Sequence, residues 1–246
     1  MALEIIPVHL ENEIKSGDDL IELMIMSKSG PSIHDGDILV FTQKIISKQE
    51  GRVVNLSNIK PTLLAIGISS EYRKDPRIMQ LILDQSKRII RMHDGIIISE
   101  TIHGFICANA GVDESNVEEG YAVLLPNDAD ASAEALCRQV KEKTGKNTAV
   151  VISDTFGRPF RQGQTNVAVG ISGIVAVLDY AGKKDVFGRT LRVTSIAVVD
   201  EICSAAELVM GKSFHVPISI VRNYHFNNAK NTMNDLIRPH SEDLFR

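Results

Sequence analysis

Thr148-Ala-Val-Val-Ile-Ser153 runs directly into Asp154-Thr-Phe-Gly-Arg-Pro159. The first half is short and rich in β-branched residues, which suits a buried, pleated strand. That strand is expected to end at Ser153 and to present Asp154 at the rim of a sheet. Working outward, similar runs bounded by Gly, Asp or Pro read as strands at Ile38–Thr42, Arg52–Leu56, Ile96–Ser99, Ala122–Leu125, Ile174–Leu178, Val193–Val199 and Ile218–Val221. Helices read between them. Asp75-Pro76 is an N-cap followed by Pro at the first helical position, with Ile78, Met79, Ile82, Ile89 and Ile90 on one apolar face. Asp130 is expected to cap a helix carrying Ala133, Leu136, Cys137 and Val140, ended by Gly145. Ser204–Met210 reads as a short helix with Gly211 after it, and a weaker helix spans Leu20–Met26. Strands and helices do not alternate regularly. This argues against a doubly wound parallel sheet and for an α+β fold with mixed sheets. The polar stretch Asn223–Arg246 is expected to wrap the surface.

Composition narrows the function. The chain has 246 residues, 27 Lys+Arg against 31 Asp+Glu, and a net charge of −4. That balance supplies no broad basic field for nucleic acid. No Trp and four Tyr leave little for base-stacking platforms. Cys107, Cys137 and Cys203 lie far apart with no C-x-x-C pair, which fits a reducing cytoplasm better than a disulfide scaffold or thiolate zinc site. The N-terminus carries no signal-peptide pattern. The most apolar stretch, Val167–Leu178, is broken by Gly170 and Gly173 and falls short of the about 20 residues a membrane span needs. Length allows one unit over residues 1–246, with room for two subdomains. The echo between Phe156–Arg161 and Phe187–Arg192 lacks matching flanks and reads as coincidence.

Three clusters could carry chemistry. In the first, Asp154 and Thr155 put a carboxylate beside a hydroxyl, a pairing that suits a hard divalent cation such as Mg²⁺ or Mn²⁺. Arg158 and Arg161 follow, with guanidinium forks suited to phosphate or carboxylate oxygens. Two other strand-like runs also end in acids, at Asp179 and at Asp200-Glu201. Each of these acids suits a turn or a cap equally well. The second cluster is Cys107-Ala-Asn-Ala-Gly-Val-Asp-Glu-Ser-Asn116, whose small residues and Gly111 permit close backbone approach to a ligand. Asp113 there is a ligand candidate or an Asx-turn residue, and Asn116 would face the same way across one turn. His103, just upstream, is an acid/base candidate or a structural histidine. The third is Thr42-Gln-Lys-Ile-Ile-Ser-Lys48, where Lys44 and Lys48 could hold a polyphosphate or form a solvated basic face. Ala206-Glu-Leu-Val-Met-Gly-Lys-Ser213 is one residue from a P-loop pattern. Its bulky, helix-favouring interior could not wrap phosphates with backbone amides, so a P-loop fold is rejected.

Taken together, Thr42-Gln-Lys…Ser47-Lys…Glu50-Gly-Arg52, His103-Gly-Phe…Cys107-Ala-Asn-Ala-Gly-Val-Asp113…Asn116, Ser153-Asp-Thr-Phe-Gly-Arg-Pro159 and Ala205-Ala-Glu-Leu-Val-Met-Gly-Lys212 resemble the coenzyme F420-0:γ-glutamyl ligase family. The terminal Asp243-Leu-Phe-Arg246 is similar to that family's ending. The resemblance implies a GTP-dependent ligase adding L-glutamate to coenzyme F420-0, with further γ-linked glutamates allowed. It also implies a family-specific α+β fold, an intertwined homodimer, two divalent cations and room for K⁺. By position, Asp113 and Asp154 match ligands of the first metal and Thr155 a ligand of the second. Gln43, Lys44, Lys48 and Asn116 match GTP contacts. So does the loop Met210, Gly211, Lys212, Ser213, Phe214, His215, Val216 and Pro217, and Glu11–Ile14 is a further candidate. Some relatives carry Gln, a ligand of the second metal, where this chain has Lys212. A protonated lysine cannot ligate a cation, though it can neutralise phosphate charge.

The chemistry this implies is an acyl phosphate, formed on the substrate carboxylate from GTP and attacked by the glutamate amine. Metals at Asp113 and Asp154, with Lys44, Lys48 and Arg158 as fixed positive charge, would relieve repulsion between carboxylate and γ-phosphate. Two other classes compete: a metal-dependent phosphoryl-transfer ligase with a different acceptor, and a GTP-binding module without chemistry.

Overall fold

The structure is a computed structural model that describes residues 1–28 and 30–243. In chain order the strands are β1 (Glu4–Val8), β2 (Ile38–Thr42), β3 (Val53–Asn55), β4 (Ser86–His93), β5 (Ile96–Thr101), β6 (Ile106–Ala108), β7 (Tyr121–Val123), β8 (Ala149–Gly157), β9 (Gln164–Ser172), β10 (Leu178–Asp179), β11 (Ser195–Ile196) and β12 (Ile218–Arg222). The helices are α1 (Leu20–Met26), α2 (Gln43–Gln49), α3 (Leu63–Tyr72), α4 (Pro76–Asp84), α5 (Ala129–Thr144) and α6 (Val198–Met210). The protein is mixed α+β with several sheets, as its irregular order of elements leads one to expect. No helix among the described residues is long and apolar enough to cross a membrane. Of the terminal Asp243–Arg246 motif, residues 244–246 lie outside the described residues.

The central sheet has the order β1-β12-β2-β8-β9. β2 and β8 run parallel and every other neighbour is antiparallel. Side chains alternate across it with the period of two that pleating imposes. Leu39, Phe41, Val150 and Ile152 join a core with α1, α2 and α5, while Ile38, Val40, Ala149 and Val151 join another with α6. Both faces are therefore covered, which is why these strands read as unbroken apolar runs. A third core gathers Leu56, Ala65, Ile78, Met79, Ile82, Ile97, Val112 and Ala122 from the segment that crosses over between β2 and β8. Arg222 at the end of β12 pairs with the buried Asp37 just before β2, its Nε 2.9 Å from Oδ1 and an Nη 2.7 Å from Oδ2. The same guanidinium donates to Ser32 O, fixing where these adjacent strands begin and end.

The structure corrects several sequence expectations. β8 does not stop at Ser153 but continues through Asp154 to Gly157, because β9 pairs with it throughout. β9 itself was hidden: glycines in Val167–Leu178 read as interruptions, yet Gly170 is a strand residue. A Cβ there would lie 2.5 Å from Ala129 O, so its bareness lets α5 close onto the sheet. Of Ile174–Leu178, only Leu178 is in a strand. Helix α4 ends at Asp84, and Ile89 and Ile90 lie in β4 instead. The reason is the dipeptide Asp94-Gly95, both left-handed (φ 48° and 76°), which closes a hairpin with β5. The N-cap of α5 is Asp128, bonded to Ala131 N; Asp130 points away and accepts from Ile171 N and Met233 N. Within Val193–Val199 only Ser195–Ile196 forms strand. Val198 opens α6 because Val198, Val199, Ile202, Cys203, Ala206 and Met210 recur on its buried face. The C-terminal stretch does more than wrap the surface, since Met233 is buried in the α6 core.

Gly170→Ala tests the close approach. The added methyl must displace helix backbone rather than a flexible tip, so we expect a loss of about 3 kcal/mol in urea unfolding. A change within 0.5 kcal/mol, on the order of an ordinary surface substitution, would mean that α5 is not seated on β9.

Candidate active site at the ends of two parallel strands

The parallel pair sets Thr42 beside Ser153. Ligand sites in open sheets commonly form beyond the carboxyl ends of such strands. Beyond Thr42 the chain turns directly into α2, carrying Lys44. Beyond Ser153 it continues as Asp154 and Thr155. The backbone N–H of Thr42 donates to Pro217 O at 2.9 Å, which draws the loop after α6 across the same strand ends. The β8–β9 ladder shifts register between Ile152 and Ser153, an irregularity of the kind that re-aims side chains near active sites.

Asp113 reaches this place from the crossover segment. Its backbone pairs with Val123, by N–H to Val123 O at 3.0 Å and from Val123 N–H at 2.8 Å. Its carboxylate forms the Asx turn weighed from sequence and an ion pair besides. Oδ1 accepts from Ser115 N at 2.7 Å as an Asx turn, and Oδ2 accepts from Lys44 Nζ at 2.7 Å. Burial raises its pKa, but the Lys44 ammonium and the Ser115 amide outweigh burial and hold it below the usual carboxylate value. Just before it, Asn109, Ala110 and Gly111 are all left-handed (φ 54°, 52° and 73°). A Cβ at Gly111 would strike Leu125 at 2.7 Å, so this bend needs glycine.

Asp154 feels the same field. Loss of hydration pushes its carboxyl up to about 6; Thr155 N–H and the charges of Lys44 and Lys212 pull it down, and Asp113 pushes it up. The charge of Asp113 thus acts on Asp154. Asp154 accepts a hydrogen bond from Thr155 N at 2.8 Å. Burial costs it more than these groups return. A carboxylate so placed, with hard carboxylate and hydroxyl oxygens around it, fits a hard divalent cation at Asp113 and Asp154. Thiolates play no part, since burial pushes Cys107 up to about 12. Among the described residues, no group of three or more His, Cys, Asp or Glu is gathered for a metal.

On the other side of Asp154 lies a second network. Thr155 Oγ1 donates to Asn166 Oδ1 at 2.7 Å, while Asn166 Nδ2 donates to Ser153 Oγ at 3.1 Å and Glu207 Oε2 at 2.9 Å. Lys212 Nζ closes it, 2.5 Å from Thr155 Oγ1, 3.0 Å from Glu207 Oε1 and 3.4 Å from Asn166 Oδ1. Neither Asn166 nor Glu207 was singled out as a site residue from sequence. The signal was present: a buried amide inside the apolar run of β9, and a carboxylate on the last turn of α6 just before Gly211-Lys212.

The other candidates are placed as follows. Lys48 bonds Glu13 at 2.7 Å, bringing α2 to the Glu11–Ile14 segment. Gln43 is buried and spends its amide on Ser47 Oγ and Leu124 O. Asn116 is exposed and left-handed (φ 57°). In the Met210–Pro217 loop, Met210 and Val216 are buried and Ser213, Phe214 and His215 are exposed. Phe214 lies over Gly211, where a side chain would collide with its ring. The P-loop-like stretch is helical through Met210, in line with its rejection. Arg158 donates to Gln162 O at 2.7 Å and Gly163 O at 3.3 Å, so in this conformation its fork serves its own hairpin turn. Arg161 is exposed on the same turn. Asp179 accepts from Ala181 N in an exposed turn, and Asp200 accepts from Ala168 N, pinning α6 to β9. The three acids at apparent strand ends therefore do not converge. His103 stacks near Phe105, and neither ring nitrogen has a hydrogen-bond partner. Burial holds its pKa below the usual value, and the nearby Arg52 charge acts in the same direction.

Comparison with known proteins agrees with these motifs. A family model described as F420-0:Gamma-glutamyl ligase matches residues 10–223. A protein of Methanothermobacter thermautotrophicus named Coenzyme F420:L-glutamate ligase is 43% identical over 251 residues, covering 100% of both chains. One of the same name from Methanocaldococcus jannaschii is 44% identical over 242 residues, covering 97% of this chain and 96% of its own. A third, from Archaeoglobus fulgidus, is 39% identical over 247 residues, covering 100% of this chain and 97% of its own.

Two predictions arise from this geometry. Asn166→Ala removes a partner from Ser153, Thr155 and Glu207 at once, and we expect about 2–3 kcal/mol lower stability by urea unfolding; an unchanged midpoint would show the network to be slack. His103 is held neutral by burial, so the unfolded chain binds its proton more readily. Stability should therefore fall as pH drops below about 6.5. His103→Phe should flatten that decline between about pH 7 and 5; parallel curves for the two proteins would assign the decline elsewhere.

Proposed function

The chain belongs to the F420-0:gamma-glutamyl ligase family, and from that premise we propose that it joins L-glutamate to coenzyme F420-0 in a GTP-dependent amide-forming reaction. The observation that carries this reading is that Lys44 bonds Asp113 and Lys212 bonds Thr155, the neighbour of Asp154, beyond the ends of β2 and β8. Two carboxylates beside two ammonium groups suit a chemistry in which anions must be brought together.

Forming an amide from a carboxylate requires a better leaving group than oxide. The acceptor carboxylate attacks the γ-phosphorus of GTP; the new C–O–P linkage forms as the bond to GDP breaks. The glutamate amine then attacks the acyl carbon, the C–O bond to phosphate breaks, inorganic phosphate leaves, and the nitrogen gives up a proton. Both substrates of the first step are anionic, so their approach is opposed electrostatically. Lys44 and Lys212 supply fixed positive charge at the place where the phosphates would lie, already oriented before reaction. Asp113 and Asp154 are the residues that would hold Mg²⁺ or Mn²⁺, whose charge would screen the phosphate oxygens. Lys48 on α2 and the loop 210–217, whose Pro217 O accepts from Thr42 N, suit the nucleotide. The product again ends in a carboxylate, so the same chemistry permits further γ-linked additions.

We read the chain as one unit over 1–246 whose third core forms a subdomain, and as a homodimer. The dimer reading is supported by α3, an apolar helix that buries Ala65 and Ser69 but leaves Leu63 88% and Leu64 63% exposed. Such surface is costly to leave in water.

The test is direct. With GTP, Mn²⁺, L-glutamate and F420-0, the protein should release GDP and yield a product heavier by one glutamyl unit. Asp154→Asn should keep its circular dichroism and lose turnover by about 10³-fold or more, the scale on which preorganised charge acts. Near-normal turnover at saturating Mn²⁺ would refute the role given to Asp154.

A further inference from the structure

The sequence resemblance leads to an expectation of two divalent ions, with Thr155 serving the second. The residues around Thr155 do not fit that ion. Thr155 Oγ1, Asn166 Oδ1 and Glu207 Oε1 are three oxygen donors from three elements, β8, β9 and α6, and all three face one cation that is already covalently part of the chain. Lys212 Nζ lies 2.5, 3.4 and 3.0 Å from them. We propose that the Lys212 ammonium, tethered at the end of α6, occupies the second cation position, so that this chain works with one divalent ion per site and a built-in monovalent cation beside it. This rests on the ligase reading above, in which cations screen nucleotide phosphates.

Charge and geometry support the arrangement. An ammonium group can donate three hydrogen bonds and cannot ligate a metal. The three acceptors match that number. A divalent ion among the same oxygens would have to displace an ammonium that contacts all three of them, whereas at the first position Lys44 contacts Asp113 and the Asp154 carboxylate bonds the Thr155 N–H. Glu207 gives the lysine an anionic partner on its own side, and Asn166 orients both Glu207 and Thr155 toward it. Counting formal charges, Asp113, Asp154 and Glu207 carry −3 and Lys44 and Lys212 carry +2. A single divalent ion brings this set to a small positive value, enough to receive a polyphosphate. Glu207 and Asn166 are positioning residues in this scheme: they act through Lys212.

The distinguishing measurement is stoichiometry rather than rate. Mn²⁺ is titrated into the full chain with a non-hydrolysable GTP analogue, and bound ion is counted by electron paramagnetic resonance. We expect one Mn²⁺ per chain for the wild type and for Lys212→Arg, which keeps a cation in place. Lys212→Gln replaces the ammonium with a neutral oxygen donor and should bind two. Two ions in the wild type, or one in Lys212→Gln, would overturn the proposal while leaving the ligase reading intact. No bound Mn²⁺ in any of the three would overturn both. Turnover offers a second readout: Lys212→Gln should need a higher Mn²⁺ concentration for half-maximal rate than the wild type, and an unchanged requirement counts against the tethered cation.

Discussion

Asp113 and Asp154 are carboxylates from distant parts of the chain; both lose water to burial, and the charge of Asp113 raises the proton affinity of Asp154. Like charges so placed cost several kcal/mol unless cations stand between or beside them. The fold answers with Lys44 on α2 and Lys212 just after α6, two elements that the apolar cores on the faces of the central sheet seat beside the same strand ends. The parallel pairing of β2 with β8 brings α2 beside Asp154. The crossover between those strands returns with Asp113, and α6 runs back along the sheet until its last residue hands Lys212 to the same spot.

The two lysines do not have the same standing. Lys44 makes a close ion pair with Asp113 and also bonds Ser115. Its side chain is 22% exposed, so it is largely fixed in place. Lys212 is 63% exposed, yet it lies against Thr155, Asn166 and Glu207. One is bolted into the floor of the site, and the other leans in from a loop. An exposed ion pair by itself contributes little to stability, so the Lys212 contacts make better sense as arrangement of charge than as a brace for the fold.

Legibility in the sequence followed local signals. The Asp75-Pro76 start of α4 and the Gly145 end of α5 were readable because each depends on neighbouring residues alone. What escaped were features decided by partners far away. Ile89 and Ile90 sit at helical spacing from Ile82, and only pairing with β5 makes them strand. Gly170 looks like a break until Ala129 is seen pressed against it. Within the site, Asp154, Thr155, Asp113 and Lys44 stood out because carboxylates, hydroxyls and lysines beside strand ends are uncommon company. Asp179 and Asp200 carried the same local signal and proved to be a turn and a pin. Asn166 was missed because a single amide in an apolar strand announces nothing until the three groups it organises are seen around it.

The placement of β12 has a consequence for how the molecule is made. This strand lies between β1 and β2, so among the described residues the first strand synthesised pairs only with the last. While the chain is still emerging from the ribosome, β2 has an open edge toward β12 and β1 has no partner at all. Unpaired edges of this kind invite association with other chains. The Pro217–Thr42 bond that draws the Lys212 loop over the site forms at the same late moment. A ribosome stalled before residue 218 would therefore hold a chain with an exposed sheet edge and no working centre, so vulnerability to aggregation and gain of chemistry end and begin together.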